Sequence, residues 1–233
     1  MTNALRPLIA IACLGLAGAA AFSVSSGSIA LAAEQATIIP APKLQTGETG
    51  KQRVAIFAGG CFWGVEGVFS HVKGVKSAVS GYHGDGKANA SYDDVSSGAT
   101  RHAESVKVVY DPTQVSYGQL LQVYFSVVAD PTLLNRQGPD AGRHYRTALV
   151  PIDKNQAKVA RAYIVELEKS GAWKKRIVTT IEPYKGFFPA ETYHQDFMFK
   201  NPDHPYILRW DKVKVTNLKR TFPALYAAKP VRG

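Results

Sequence analysis

The stretch that most constrains this chain is Val54-Ala55-Ile56-Phe57-Ala58 followed by Gly59-Gly60-Cys61. The short apolar run reads as a buried strand. Beyond the glycines, Phe62, Val65, Val68 and Phe69 recur at helical spacing, so a helix starts near Cys61. The glycines then form the strand-to-helix turn, where a left-handed or closely packed backbone is tolerated. This places a thiol at a helix N-terminus, where unpaired amides and the helix dipole favour the thiolate. The plain alternative is an inert cysteine packing as a small hydrophobe. Two glycines before the sulfur and two large aromatics, Phe62 and Trp63, after it weigh toward reactivity.

The N-terminus supplies a third reason. In residues 1–32 Arg6 is the only charged side chain, residues 8–22 are almost unbroken apolar, and Ala30-Leu31-Ala32 offers small residues for cleavage before Ala33. That is the pattern of a secretory signal peptide. The alternative is an uncleaved membrane anchor, since the stretch is long enough to span a bilayer, although Ser23, Ser25, Ser26 and Ser28 weaken its second half. Export, to a bacterial periplasm, is the expectation. Of the 2 cysteines, Cys13 falls in the leader, so the mature chain keeps Cys61 alone and forms no internal disulfide. Residues 33–51, with Pro40, Pro42, Gly47 and Gly50, read as a flexible linker, and 52–228 as the domain. The formal charge of +10 is spread over scattered lysines and arginines with no basic run. It fits solubility or attraction to anionic surfaces and not nucleic-acid binding.

Residues 75–82 and 103–110 alternate as strands, the second ended by Asp111-Pro112. Ser116 is a candidate N-cap for a helix through Leu120, Leu121, Tyr124, Phe125 and Val128, closed by Asp130-Pro131. Residues 135–146 form a long polar loop. A strand at 147–152, an amphipathic helix at 155–169 stopped at Gly171, and a β-branched strand at 177–181 follow. A short helix then holds Tyr193, His194 and Phe197. From Asn201 the tail reads as irregular and basic, with a helical turn near Phe222. The fold class is α+β: a mixed sheet with helices packed on it in two layers.

A lone exported thiol could serve several chemistries. A cysteine-dependent acyltransferase or hydrolase needs a histidine partner and an oxyanion hole, and none of the 6 histidines sits in an identifying motif. One mature cysteine and scattered histidines do not make a zinc site. A basic exported binding protein with an incidental thiol is the non-enzymatic alternative. Reduction of a sulfoxide would need the thiolate, a neutral acid, hydroxyl donors and an apolar box for an S-methyl group. Phe62 and Trp63 can line the box, and Glu66 or Glu104, if buried, can be the acid.

Gly60-Cys61-Phe62-Trp63-Gly64-Val65-Glu66 resembles the signature of the peptide methionine sulfoxide reductase A family. Further motifs match in order: Gly81-Tyr82, Tyr92-Asp93-Asp94-Val95, His102-Ala103-Glu104, Asp130-Pro131-Thr132, Asn135 to Asp140, Tyr145-Arg146 and Tyr193-His194-Gln195. The resemblance implies the family's ferredoxin-like sandwich and reduction of the S epimer of methionine sulfoxide, free or peptide-bound, by a monomer without metal or cofactor. It makes Cys61 the nucleophile, Glu104 the acid and Tyr92 and Tyr145 the donors to the sulfoxide oxygen. Asp140 organises the site, Phe62 and Trp63 hold the methyl, and Glu66 becomes a structural partner. Ala129 and Arg101 depart from the family pattern in loops. The resolving cysteines that many members carry at the C-terminus are missing, so a Cys61 sulfenic acid must be reduced by an external thiol, either a thioredoxin-like protein or a small molecule.

Overall fold

A computed structural model describes residues 35–233. The signal-peptide expectation, over 1–32, lies outside the described residues. In chain order the elements are β1 (Arg53–Gly59), α1 (Phe62–Ser70), β2 (Val75–His83), α2 (Tyr92–Ser96), β3 (Ala103–Tyr110) and α3 (Tyr117–Val123). There follow β4 (Arg136–Gln137), β5 (Asp140–Ala141), β6 (Thr147–Val150), α4 (Lys154–Ser170), β7 (Thr180–Ile181), β8 (Phe188–Pro189), α5 (Phe197–Lys200) and α6 (Lys212–Thr221).

The main sheet runs β7-β6-β1-β3-β2-β8. Its pairs are antiparallel except β6 with β7. The four central strands, β6-β1-β3-β2, with α1 between β1 and β2 and α3 between β3 and β6, give the ferredoxin-like arrangement. Phe57 on β1 shows where the helices sit. Its ring stacks on Phe69 of α1 at 4.7 Å, on Tyr117 of α3 at 6.3 Å and on Tyr124 just beyond α3 at 5.5 Å. One side chain therefore touches both helices, which share a face of the sheet. Its neighbours Ala55, Val65, Val68, Val106 and Leu121 belong to the same buried cluster.

The sequence cues explain most ends. Ser116 caps α3 with a complete capping box to Gln119. Asp153 caps α4, and Gly171 ends it in the left-handed conformation. At Gly60 both reasons for glycine hold, since φ is +88° and a Cβ there would lie 2.6 Å from the Cβ of Gln137.

Several segments differ from the sequence reading, among them 135–146, where β4 and β5 pair as a short hairpin within the expected loop. Residues 35–48, expected as part of a flexible linker, form an extended strap on the domain. Thr37 N–H donates to Ser126 O at 2.9 Å, Gln122 Nε2 to Ile39 O at 2.7 Å and Tyr163 Oη to Pro40 O at 2.6 Å. Ile39 is buried. The tail, expected to be irregular, continues as a π turn (Ile207–Asp211) into α6. Its buried face includes Asp211, Lys214 and Asn217 beside Ile207 and Leu218, so no apolar stripe announces the helix. Tyr193 and His194, expected in a short helix, lie in turns before α5, and only Thr180–Ile181 of the strand expected at 177–181 pairs.

Phe57→Ala should lower the unfolding free energy by about 3–5 kcal/mol, read from urea denaturation. A loss under about 1 kcal/mol would contradict the place given to this ring.

Candidate active site

The end of β1, the N-terminus of α1 and the start of β3 meet at one edge of the sheet. Cys61 is the N-cap residue of α1 and is partly buried. Glu104, the second residue of β3, pairs across the sheet with Tyr82 of β2. It is 2% exposed, and its Oε2 accepts the Phe62 N–H at 2.9 Å. The carboxyl thus occupies the amide that follows Cys61. Burial pushes its pKa up to about 8; the Phe62 N–H opposes this, and Asp140 and Asp211 add to it. Glu104 therefore holds a proton at pH 7.

The thiol departs from expectation. Helix-terminal geometry favours a thiolate, but burial dominates and pushes the Cys61 pKa up. Glu104 and Asp211 raise it further, Asp140 adds a smaller push, and the Trp63 N–H provides the one opposing bond. The resting residue is a thiol, because a dry setting and the nearby Asp211 and Asp140 outweigh the helix N-terminus.

Two segments bring hydroxyls to this pair. Tyr92 starts α2, held by its own N–H donating to Glu191 Oε1 at 2.8 Å, and Ser91 caps that helix. Tyr145 ends the 3-10 turn before β6. Both phenols are raised by burial, with Glu104 and Cys61 among the charges that act on them. Arg146 locks Tyr145's loop to the start of β3. Its guanidinium grips Glu182 at 2.8 and 3.0 Å and donates to the carbonyls of His102 at 3.2 Å and Arg101 at 3.1 Å.

Asp140, on β5, accepts a hydrogen bond from Tyr206 Oη. Together with Gln137, Gly138, Pro139, Tyr206, Trp210 and Lys214 it lines the narrow cleft at Cys61. Gln137 clamps the approach, its side-chain amide making both bonds to the Asp130 backbone at 2.8 and 2.9 Å. Tyr206, Trp210 and Lys214 were not legible as site residues, because they lie in the segment read as an irregular tail.

Phe62 and Trp63 follow Cys61 on α1. Phe62 is sealed in the core, 1% exposed. Trp63 stacks on Phe197 at 3.7 Å and meets Tyr206 edge-on at 5.8 Å. Glu66, the other candidate acid, lies apart. It accepts from Ser80 Oγ at 2.9 Å and Asp196 N–H at 3.1 Å, and burial raises its pKa to about 7. It lines a cavity of ≈ 380 Å³ with Trp63, Met198, Phe199 and Val231, to which Cys61 does not contribute. Arg101 is exposed beside Asp85, and Ala129 is buried near Gly59; neither enters the cleft.

A family model described as peptide methionine sulfoxide reductase matches residues 53–224. Peptide methionine sulfoxide reductase MsrA 2 of Mesorhizobium japonicum is 58% identical over 177 residues, covering 76% of this chain and 91% of its own. Methionine sulfoxide reductase A of Corynebacterium diphtheriae is similar in structure, with a TM-score of 0.56 at 31% identity, over 72% of this chain and 88% of that one. Reduced Mxr1 of Saccharomyces cerevisiae gives a TM-score of 0.58 at 30% identity, over 72% and 94%.

Two measurements check the electrostatics. Iodoacetamide should label Cys61 at pH 7 more slowly than free cysteine, with a rate still climbing at about pH 9; a plateau below about pH 7 would contradict a raised thiol. In carbon NMR a side-chain carboxyl signal missing from Glu104→Gln should titrate near pH 8, losing its proton as pH rises. Titration in the ordinary carboxylate range would contradict the assignment.

Proposed function

This chain belongs to the peptide methionine sulfoxide reductase family, and from that membership we propose the residue roles by which it reduces methionine sulfoxide. The S epimer is the substrate in this reading. The S-methyl group rests against Trp63, with Phe62 as the wall behind, and the oxygen faces Glu104, Tyr92 and Tyr145. A sulfoxide sulfur is a weak electrophile until its oxygen is protonated, so the neutral acid matters more than a strong resting nucleophile. Glu104 gives its proton to the oxygen as Cys61 Sγ bonds to the sulfur. A protonated Glu104 carries no charge to oppose ionisation of the thiol, and once it has given up its proton the resulting carboxylate, or water, takes the thiol proton. The bond between the two sulfurs then breaks as the oxygen, with its proton, transfers to Cys61. Methionine sulfur gains two electrons, Cys61 sulfur loses two, and the products are methionine and a Cys61 sulfenic acid.

The observation that carries this reading is the Phe62 N–H bond to Glu104 at 2.9 Å, which holds a buried acid one residue from the sulfur. Hydrolase chemistry is supported less well. The carboxyls Glu104, Asp211 and Asp140 all raise the Cys61 pKa, which suits a proton-holding site better than the activated thiolate a hydrolase needs. Asp140, through its bond with Tyr206, orders the mouth of the cleft.

The recycling step follows from cysteine count. With Cys13 in the leader, Cys61 is left without an internal partner. Two equivalents of an external thiol, from a small molecule or a thioredoxin-like protein, return the sulfenic acid to thiol, with release of water and a disulfide. Export to the periplasm, from the leader's sequence pattern, and action as a monomer complete the proposal.

With dithiothreitol and methionine sulfoxide, the enzyme should consume the S epimer and leave the R epimer. Cys61→Ser should abolish turnover, and Glu104→Gln should lower kcat by about 10²–10⁴-fold, against less than about tenfold for Glu66→Gln. Equal losses in the two glutamate variants would overturn the choice of acid. A single turnover without reductant should leave Cys61 trapped by dimedone; a disulfide within one chain would contradict the recycling scheme.

A further inference from the structure

The turn Tyr193-His194-Gln195 has no part in the chemistry above, yet His194 is 2% exposed and lies directly against the aromatic box. Its Nδ1 accepts the Trp63 Nε1–H at 3.0 Å. An indole nitrogen can only donate, so Nδ1 must present a lone pair, and the proton of the neutral ring sits on Nε2. Burial lowers the pKa of the imidazole, with Glu191 pulling the other way. The ring lies 5.0 Å from Phe62 and 4.5 Å from Tyr92, tilted to both. It therefore touches the two aromatics that follow Cys61 and the tyrosine placed on the oxygen side.

Nε2 is buried with no hydrogen-bond partner among the described protein atoms, so the bond from Trp63 is the hydrogen bond the ring makes within the protein. What only an acceptor at Nδ1 supplies is a fixed direction for the Trp63 indole. Phe197 stacks on one face of that indole at 3.7 Å, and Tyr206 meets it edge-on. These ring contacts permit sliding and rotation in the ring plane, and the bond to His194 removes that freedom.

We propose that His194 is a positioning residue that locks the Trp63 indole, so setting the width of the S-methyl slot and coupling it to Tyr92. The inference rests on the reading of Trp63 as the wall of that slot. His194 acts through Trp63 and does not touch the reacting atoms. Its loss should affect fit to the S-alkyl group before it affects the chemical step.

The test compares S-methyl with S-ethyl substrate, methionine sulfoxide against ethionine sulfoxide, in the full chain. An apolar pocket distinguishes one methylene by about 10–200-fold. His194→Leu should raise KM for the methyl substrate more than it lowers kcat and should shrink the methyl-to-ethyl preference in kcat/KM by about tenfold. His194→Asn, whose amide oxygen can stand where Nδ1 stood, should restore most of the preference. The Trp63 indole N–H signal, identified by its loss in Trp63→Phe, should move upfield in His194→Leu and return in His194→Asn. A folded His194→Leu enzyme with unchanged preference and an unmoved indole signal would overturn the proposal. An indole signal that moves without any change in preference would also overturn it. If the wild type reduced no sulfoxide, the proposed function would fail while the indole signal still reported the Trp63–His194 bond.

Discussion

Everything in the site depends on one hydrogen bond, from the first amide of α1 to the carboxyl of Glu104. A helix N-terminus has amides to satisfy, and here one of them is satisfied by a buried side chain from a different strand. The bond ties the nucleophile's helix to β3 and fixes the separation of acid and sulfur. It is possible because β1 pairs with β3, so the strand that launches Cys61 runs beside the strand that carries Glu104. Gly60, with its positive φ, lets the chain turn tightly enough for α1 to start there.

The electrostatic outcome is a site that holds its protons. Glu104, Asp140 and Asp211 surround a half-buried sulfur, and each makes ionising another group harder. A group of this kind is poorly nucleophilic at rest and stores the proton a sulfoxide needs. Its reactivity therefore depends on the substrate that accepts that proton.

Much of this was legible in the sequence, and the reasons differ by residue. Cys61 and its turn were marked by glycines and by a switch from strand to helix periodicity. Physics alone left Glu66 and Glu104 equivalent, because both sit beside apolar residues; the family resemblance chose Glu104, and the register that sets it under the Phe62 amide gives the physical reason. The resting thiol was misread, since helix position is visible in sequence and the approach of Asp140 and Asp211 from distant segments is not. Lys214 escaped because α6 buries a polar face, and Tyr206 because it stands just before the π turn that leads into that helix. Gly64 was the available hint of that helix, for a Cβ there would lie 2.2 Å from Asp211 Oδ1. Ile39 and Pro40 were lost in a proline-rich stretch whose backbone bonds to α3 and α4 leave no local pattern.

The most direct test of the central claim is a crystal structure of the Cys61→Ser variant with the S epimer of methionine sulfoxide bound. The account predicts the sulfoxide oxygen within about 3 Å of the Glu104 carboxyl, the sulfur facing the side chain at position 61, and the methyl group against Trp63. An oxygen turned toward solvent or toward Glu66, with Glu104 still bonded only to the Phe62 amide, would contradict it.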